Sequence, residues 1–254
     1  MSTSHQAALS AALVKLRAER PLIHNITNFV VMNWTANVLL AAGASPAMVH
    51  AVEEVAEFTA ISKALVINIG TLDASFVAGM DLAIASAQTH RVPWVLDPVG
   101  VGATRYRTDV ALRLSRMKPA AIRGNASEIM ALAGAAGSGR GVDSLSASAD
   151  AIDAARHLSG DTGAVVAVTG ATDYVIVGED VTPVSGGHPI SQQVTGTGCA
   201  TTALVGAFLA VLPARDAAIA GLALMKRAAE LAEPEAPGPA GFATMLIDAI
   251  AAIR

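Results

Sequence analysis

The sequence predicts an α/β protein built on a mainly parallel central sheet with helices over both faces. Three observations lead there. Short apolar runs such as 64–69 and 163–168 alternate with helical stretches of roughly 10–16 residues, the rhythm of βαβ units. Hydrophobic residues make up 53% of the 254 and aromatics only 4%, so the core must be built from Ala, Val, Leu and Ile, as doubly covered sheets are. Finally, a turn of small residues, Val194-Thr-Gly-Thr-Gly-Cys199, runs straight into a continuous apolar helix pattern to Ala210. Backbone N–H groups at such a helix start point at an anion, and the helix dipole favours negative charge there.

In chain order, the first twenty residues set Lys15, Arg17 and Arg20 among Leu9, Leu13 and Leu16, an amphipathic surface helix rather than a targeting segment. Residues 21–48 then carry an unusual density of uncharged polar groups, including His24, Asn25, Thr27, Asn28, Asn33 and Asn37. Two readings fit: Asn28 caps a helix over 29–42 that ends at Gly43, or Asn25 and its neighbours face a neutral polar ligand. Residues 53–63 read as a helix, 64–73 as a buried strand ending in a loop, and 76–90 as a helix. The run 92–97 is a second strand that breaks into a Gly/Pro loop, with Asp97 at its carboxyl end.

A helix at 108–116 precedes a strand, turn and helix start over 120–129, in which Glu128 stands three residues after Asn125, the spacing of a capping box. A glycine-rich connection over 134–141 leads to a helix at 146–159. Strands follow at 163–170 and 174–177, then an irregular hairpin and loop over 181–193. The chain ends in helices at 199–211, 214–231 and 240–252. Neither a composition shift nor a repeat marks a second domain, so 1–254 reads as one domain.

Charge excludes some functions. A net charge of −4 leaves no basic footprint for nucleic acid or an anionic membrane surface. The longest apolar stretch, 203–212, is too short to span a membrane. One cysteine, Cys199, allows no internal disulfide, which fits a reducing cytoplasm.

Ligands of open parallel sheets bind beyond the carboxyl ends of the strands. Gly70, Asp73, Asp97, Arg123, Asn125, Glu128, Thr169 and the 196–199 turn all fall there. They supply carboxylates, a cation and an anion-binding turn, the parts that phosphoryl transfer from a magnesium nucleotide needs. Each also has a structural reading: Asp97 as a turn former before Pro98, Glu128 as a helix cap, Arg123 in an ion pair, Thr169 in a turn, Cys199 as a small core residue. The chain lacks a Gly-x4-Gly-Lys-Ser/Thr loop, a complete dinucleotide fingerprint and zinc-ligand spacing. A thiol paired with His24, His50, His90, His157 or His188 is permitted by arithmetic, without a hydrolase signature to support it. At a helix start, Cys199 is expected to ionise below the ~8.5 of a free thiol.

Seven blocks in register carry a family resemblance. They are Pro21-Leu-Ile-His-Asn-Ile-Thr-Asn28, Gly43-Ala-Ser-Pro-Ala-Met48, Val66-Ile-Asn-Ile-Gly-Thr-Leu72, Leu96-Asp-Pro-Val-Gly-Val-Gly-Ala-Thr104, Ile122-Arg-Gly-Asn-Ala-Ser-Glu128, Val168-Thr-Gly170 and Val194-Thr-Gly-Thr-Gly-Cys199. Together they closely resemble the hydroxyethylthiazole kinases. The resemblance implies a ribokinase-like three-layer α/β/α fold and ATP-dependent phosphorylation of 4-methyl-5-(2-hydroxyethyl)thiazole in thiamine salvage. It also implies Mg²⁺, and a homotrimer with thiazole sites between subunits.

By the same resemblance, Met48 and Gly196 match thiazole-binding positions, and Asn25 lies in the thiazole-facing segment. Arg123 and Thr169 match ATP-binding positions, and Asp97 and Glu128 match acids of the magnesium–phosphate region. Thr197 and Gly198 belong to the anion-binding turn, and Cys199 stands where the wider group has an aspartate base. Two departures are Ala200-Thr-Thr202, where bulkier apolar residues are common, and Ser127 in place of glycine; neither touches an expected role, though the first can reshape the pocket beside the base. Three other functions stay open: a kinase of another small alcohol such as a hydroxymethylpyrimidine, nucleotide-dependent dehydration of hydrated nicotinamide cofactors, and a non-catalytic thiazole or nucleotide binder.

Overall fold

In a computed structural model, which describes residues 3–134 and 144–254, an eight-stranded sheet lies between two layers of helices. The first half runs α1 (Thr3–Glu19), β1 (Leu22–Ile26), α2 (Met32–Ala42), β2 (Ser45–Ala47), α3 (Val55–Ile61), β3 (Ala64–Asn68), α4 (Ala74–His90), β4 (Trp94–Asp97) and α5 (Arg105–Ser115). The second half runs β5 (Ala121–Asn125), α6 (Ala126–Leu132), α7 (Ser144–Thr162), β6 (Val165–Thr169), β7 (Asp173–Val177), β8 (Asp180–Val184), α8 (Thr197–Leu209), α9 (Ala214–Ala232) and α10 (Pro239–Ala252). Short 3-10 turns lie at Pro189–Gln193 and Glu233–Glu235. The glycine-rich connection expected at 134–141 lies, beyond Gly134, outside the described residues.

Strand order is β2-β1-β3-β4-β5-β6-β7-β8. All pairings as far as β5–β6 are parallel, and β7 and β8 close one side as antiparallel strands. Alternation along the strands divides the apolar residues between two cores. Ile23, Ala64, Val66 and Val95 meet α1, α2, α8, α9 and α10 on one face. Leu65, Ile67, Leu96 and Ile122 meet the layer from α3 to α7 on the other. This is the three-layer arrangement that the sequence predicts, and it places the carboxyl ends of β1 to β6 along one edge. Helix α8 is buried from Ala200 to Leu209, as its all-round apolar sequence requires.

Two strands went unread in the sequence. β1 is disguised by His24 and Asn25, whose polar groups hid its alternation. His24 is buried there because Nδ1 pairs with Thr59 Oγ1 at 2.9 Å and Nε2 with the Val49 carbonyl at 2.8 Å. Burial pulls its pKa down, while the Val49 hydrogen bond pulls it back up. β2 is too short, at three residues, to show a period. Helix α2 ends at Gly43 (φ +105°) as expected, yet Asn28 does not cap it. The cap position is Val31, and Asn28 Oδ1 instead accepts from Val30 N at 3.1 Å. That leaves the Asn28 amide nitrogen free to reach the sheet edge.

Candidate active site

Asp97 closes β4 and is fully buried. Its Oδ2 accepts from Asn68 Nδ2 and from Thr202 Oγ1, each at 2.8 Å. Its Oδ1 is also enclosed but has no partner among the described residues. Burial pushes this carboxyl up to about 6; the Arg123 charge opposes that shift and Glu128 adds to it. A buried carboxylate with one bare oxygen is expensive unless a cation meets it. The Thr202 bond also corrects the view that the 200–202 departure touches no expected role: Thr202 holds the central acid.

The turn before α8 leaves main-chain donors uncapped. Gly196 takes the N-cap position with φ +91°, and no side chain caps the helix. The helical ladder begins with Ala200 N donating to the Gly196 carbonyl at 2.9 Å, so the N–H groups of Thr197, Gly198 and Cys199 lie ahead of it. A Cβ on Gly198 would stand 2.7 Å from Arg123 Nη1, so only glycine lets the guanidinium lie against this turn. Arg123 Nη2 in turn donates to Thr169 Oγ1 at 2.6 Å. The Thr197 hydroxyl is spent on the Ser191 and Val194 carbonyls, which leaves its main chain, not its side chain, for an anion. Gly196 faces the other way, where a Cβ would meet Val31 Cγ1 at 2.6 Å.

Cys199 Sγ accepts from Asn28 Nδ2 at 3.5 Å, and the same amide donates to Asn68 Oδ1 at 2.8 Å. The thiol is thus joined to Asp97 through two carboxamides. Burial, followed by the Asp97 charge, pushes the Cys199 thiol up to about 11. The helix start was expected to lower it; desolvation and a like charge outweigh the dipole, so in the substrate-free protein Cys199 is a thiol. The thiol–imidazole alternative finds no support: among the described residues the hydrogen-bond partner of Cys199 Sγ is Asn28 and not a histidine.

Glu128 is the capping-box residue that its spacing suggested. Its Oε2 accepts from Asn125 N at 2.8 Å, and its Oε1 reaches across to Gly100 N at 2.9 Å, fixing the loop after Asp97. Asp73 is the N-cap of α4, accepting from Phe76 N at 2.9 Å, and takes no part in the site. Met48 is half-buried directly after β2, at the carboxyl end of the sheet's edge strand. Asn25 is fully buried: its Nδ2 donates to the Ile23 carbonyl at 2.9 Å, and its Oδ1 has no partner among the described residues. The amide that this segment contributes is Asn28, three residues further on.

A cavity of about 740 Å³ opens over the β5–β6 edge and α8. Arg123, Thr169, Thr197, Gly198, His188 and Met225 are among the residues that line it. Met48, Asn25 and Cys199 are not on its walls, so the site residues divide between this cavity and the β1–β3 edge, with the start of α8 between them. Asn68, Thr202, Asp173 and Lys226 escaped the sequence reading. Only Asn68, a lone amide ending a wholly apolar strand, carried a visible signal.

The fold is of the ribokinase-like kind, a mainly parallel sheet between two helix layers. The model of the hydroxyethylthiazole kinase family matches residues 13–254. The chain belongs to the hydroxyethylthiazole kinase family. It is 54% identical to a hydroxyethylthiazole kinase of Granulibacter bethesdensis over 95% of this chain and 88% of that one. Against the solved hydroxyethylthiazole kinase of Pyrococcus horikoshii, identity is 43%, the TM-score is 0.90, and 97% of this chain and 93% of the other are covered. A ribokinase-like protein of Enterococcus faecalis, 11% identical with a TM-score of 0.69 over 96% of this chain and 93% of that one, shares the fold.

The Asp97 environment predicts a trade between stability and activity. Its folded pKa lies above the unfolded carboxylate value. It therefore favours folding most below that value, and the advantage fades as pH rises through about 6. At pH 7.5, Asp97→Asn is expected to melt at or above the wild-type temperature in metal-free buffer, while its activity with MgATP falls about 100-fold or more. A lower melting temperature at that pH, measured calorimetrically, contradicts the account.

Proposed function

We propose that the chain, as a single kinase domain over 1–254, transfers the γ-phosphoryl group of ATP to the primary hydroxyl of 4-methyl-5-(2-hydroxyethyl)thiazole, in the cytoplasm. The observation that carries this is the position of the α8 start: Gly198 touches Arg123 on the cavity side, while Cys199 touches Asn28 on the β1–β3 side. ATP belongs in the cavity, with its phosphates toward Arg123, Thr169 and the turn. The thiazole belongs near Met48, Gly196 and Cys199, where apolar and uncharged polar groups suit a neutral ring.

The donor set fits a magnesium ion. Asp97 offers its bare Oδ1, and Glu128 brings charge to the same corner while its oxygens hold Gly100 and Asn125. Among the described residues there is no group of three or more His, Cys, Asp or Glu side chains that could hold a metal. Mg²⁺ commonly needs only one or two carboxylates, taking its other ligands from phosphates and water. When bound, it shares the polyphosphate charge with Arg123. The alcohol oxygen attacks the γ-phosphorus as the bond to ADP breaks. Backbone N–H groups of Thr197 and Gly198 receive the charge that develops on the phosphoryl oxygens. Cys199 accepts the hydroxyl proton as the new phosphorus–oxygen bond forms.

The product of wild-type turnover with hydroxyethylthiazole and MgATP, followed by phosphorus NMR, should be a phosphate ester on the side-chain oxygen. Cys199→Asp should stay active because a carboxylate there can also accept the proton. Cys199→Ala should lose about 100-fold or more of kcat while still binding both substrates. No thiazole phosphate from the wild type defeats the function; a fully active Ala variant removes Cys199 from it.

The assembly reading is a homotrimer with acceptor sites between subunits. Phe29 and Val30 support it: they are 60% and 65% exposed, yet follow directly on Asn28 at the site. Met48 lies at an open sheet edge that a neighbouring subunit would close. Light scattering should give three chain masses, and Val30→Asp should lower the mass and raise KM for thiazole more than KM for ATP. An active monomer would contradict this.

A further inference from the structure

Lys226 projects from α9 into the wall of the cavity and is 8% exposed. A lysine lining a nucleotide cavity would ordinarily be assigned to phosphate, but this one is already fully engaged. Its Nζ donates to the carbonyls of Gly170 at 3.4 Å, Ala171 at 3.2 Å and Gly186 at 3.2 Å. It also stands 3.2 Å from Asp173 Oδ1, which is itself buried and accepts from Gly170 N at 2.9 Å. Four oxygens, three of them main-chain carbonyls and one a carboxylate, therefore surround a single positive charge. Converging carbonyls are how proteins replace the hydration shell of a monovalent cation, and an ammonium is a compact point charge of the same sign.

The oxygens come from segments distant in sequence. Gly170 and Ala171 lie in the β6–β7 turn, Asp173 opens β7, and Gly186 follows β8. Gly186 and Gly187 both have left-handed backbones, at φ +117° and +86°. The lysine stem lies against Gly187, where a Cβ would meet Lys226 Cγ at 3.3 Å. Both segments are cavity walls, and the first begins one residue after Thr169, the partner of Arg123.

We propose that Lys226 is a positioning residue for nucleotide binding: its ammonium serves as a built-in monovalent cation that holds the 170–173 turn and the 186–187 loop in the shape the nucleotide requires. It makes an added K⁺ or NH₄⁺ unnecessary in the wild type. Removing the side chain empties the cage but leaves its oxygens and the Asp173 charge, so a free cation of suitable size substitutes for it. This inference rests on the reading of the cavity as the ATP site.

The test is calorimetric titration of a nonhydrolysable ATP analogue with magnesium, alongside steady-state kinetics, in tetramethylammonium chloride at constant ionic strength. Wild-type affinity should be the same with or without added K⁺ or NH₄⁺. Lys226→Ala should bind the nucleotide about 10- to 100-fold more weakly, with KM for thiazole unchanged, and K⁺ or NH₄⁺ should restore most of the loss. Rescue by a cation is a response that a merely structural lysine would not give. Unchanged affinity in Lys226→Ala, a loss that neither cation restores in the folded variant, or wild-type affinity that depends on K⁺ would each overturn the inference. Should Lys226→Ala fail to fold, Lys226→Met with Asp173→Asn removes both charges together. That pair should bind nucleotide weakly whatever cation is present, and wild-type affinity in it overturns the proposal. Wild-type protein that fails to bind nucleotide at all overturns the cavity reading, and this inference with it.

Discussion

A carboxylate buried at the end of β4, with one oxygen held and the other bare, is the constraint on which the rest of the site depends. Ionising Asp97 in place requires donors, and the fold supplies them from two directions: Asn68 from the neighbouring strand and Thr202 from the second turn of α8. Those two bonds fix α8 against the sheet edge, and so fix where its open start points. Arg123 offsets part of the same charge while lying against Gly198. The open turn, the buried acid and the arginine are therefore one arrangement rather than three neighbours. Hydrogen bonds to one oxygen lower the burden on Asp97 but do not remove it, which is why its carboxyl titrates near 6.

The same charge governs the thiol. Asn28 and Asn68 link Cys199 to Asp97 by hydrogen bonds, yet Asp97's field raises the thiol, and burial raises it further. On both counts the resting cysteine is a thiol. A resting protein without thiolate also avoids exposing a reactive sulfur. Glu128 works on the same corner at one remove, by holding the Gly100 loop beside the acid.

Much of this was legible in the chain. Apolar runs separated by helical stretches predicted the layers, because parallel strands buried on both faces need no polar alternation. The Asn125–Glu128 spacing predicted a capping box, since that motif is local. The Gly-Thr-Gly-Cys turn predicted the helix start for the same reason. What stayed hidden depends on contacts between distant segments. Asn28 looked like a cap because its neighbours resemble a helix start; its true partners are 40 and 171 residues away. Thr202 looked like a mild departure because nothing local shows that it faces Asp97. The helix dipole at Cys199 was visible in the sequence, whereas the burial that overrides it was not.

Because Cys199 is the only cysteine, its ionisation can be followed directly by the pH dependence of iodoacetamide labelling in metal-free protein, with mass analysis of the adduct. The account predicts that the labelling rate is still rising between pH 8 and 10, in keeping with a thiol near 11, and that Asp97→Asn shifts the curve to lower pH. A rate that levels off below pH 8, or one that Asp97→Asn leaves unmoved, would contradict the central claim that burial and the Asp97 charge hold this cysteine protonated.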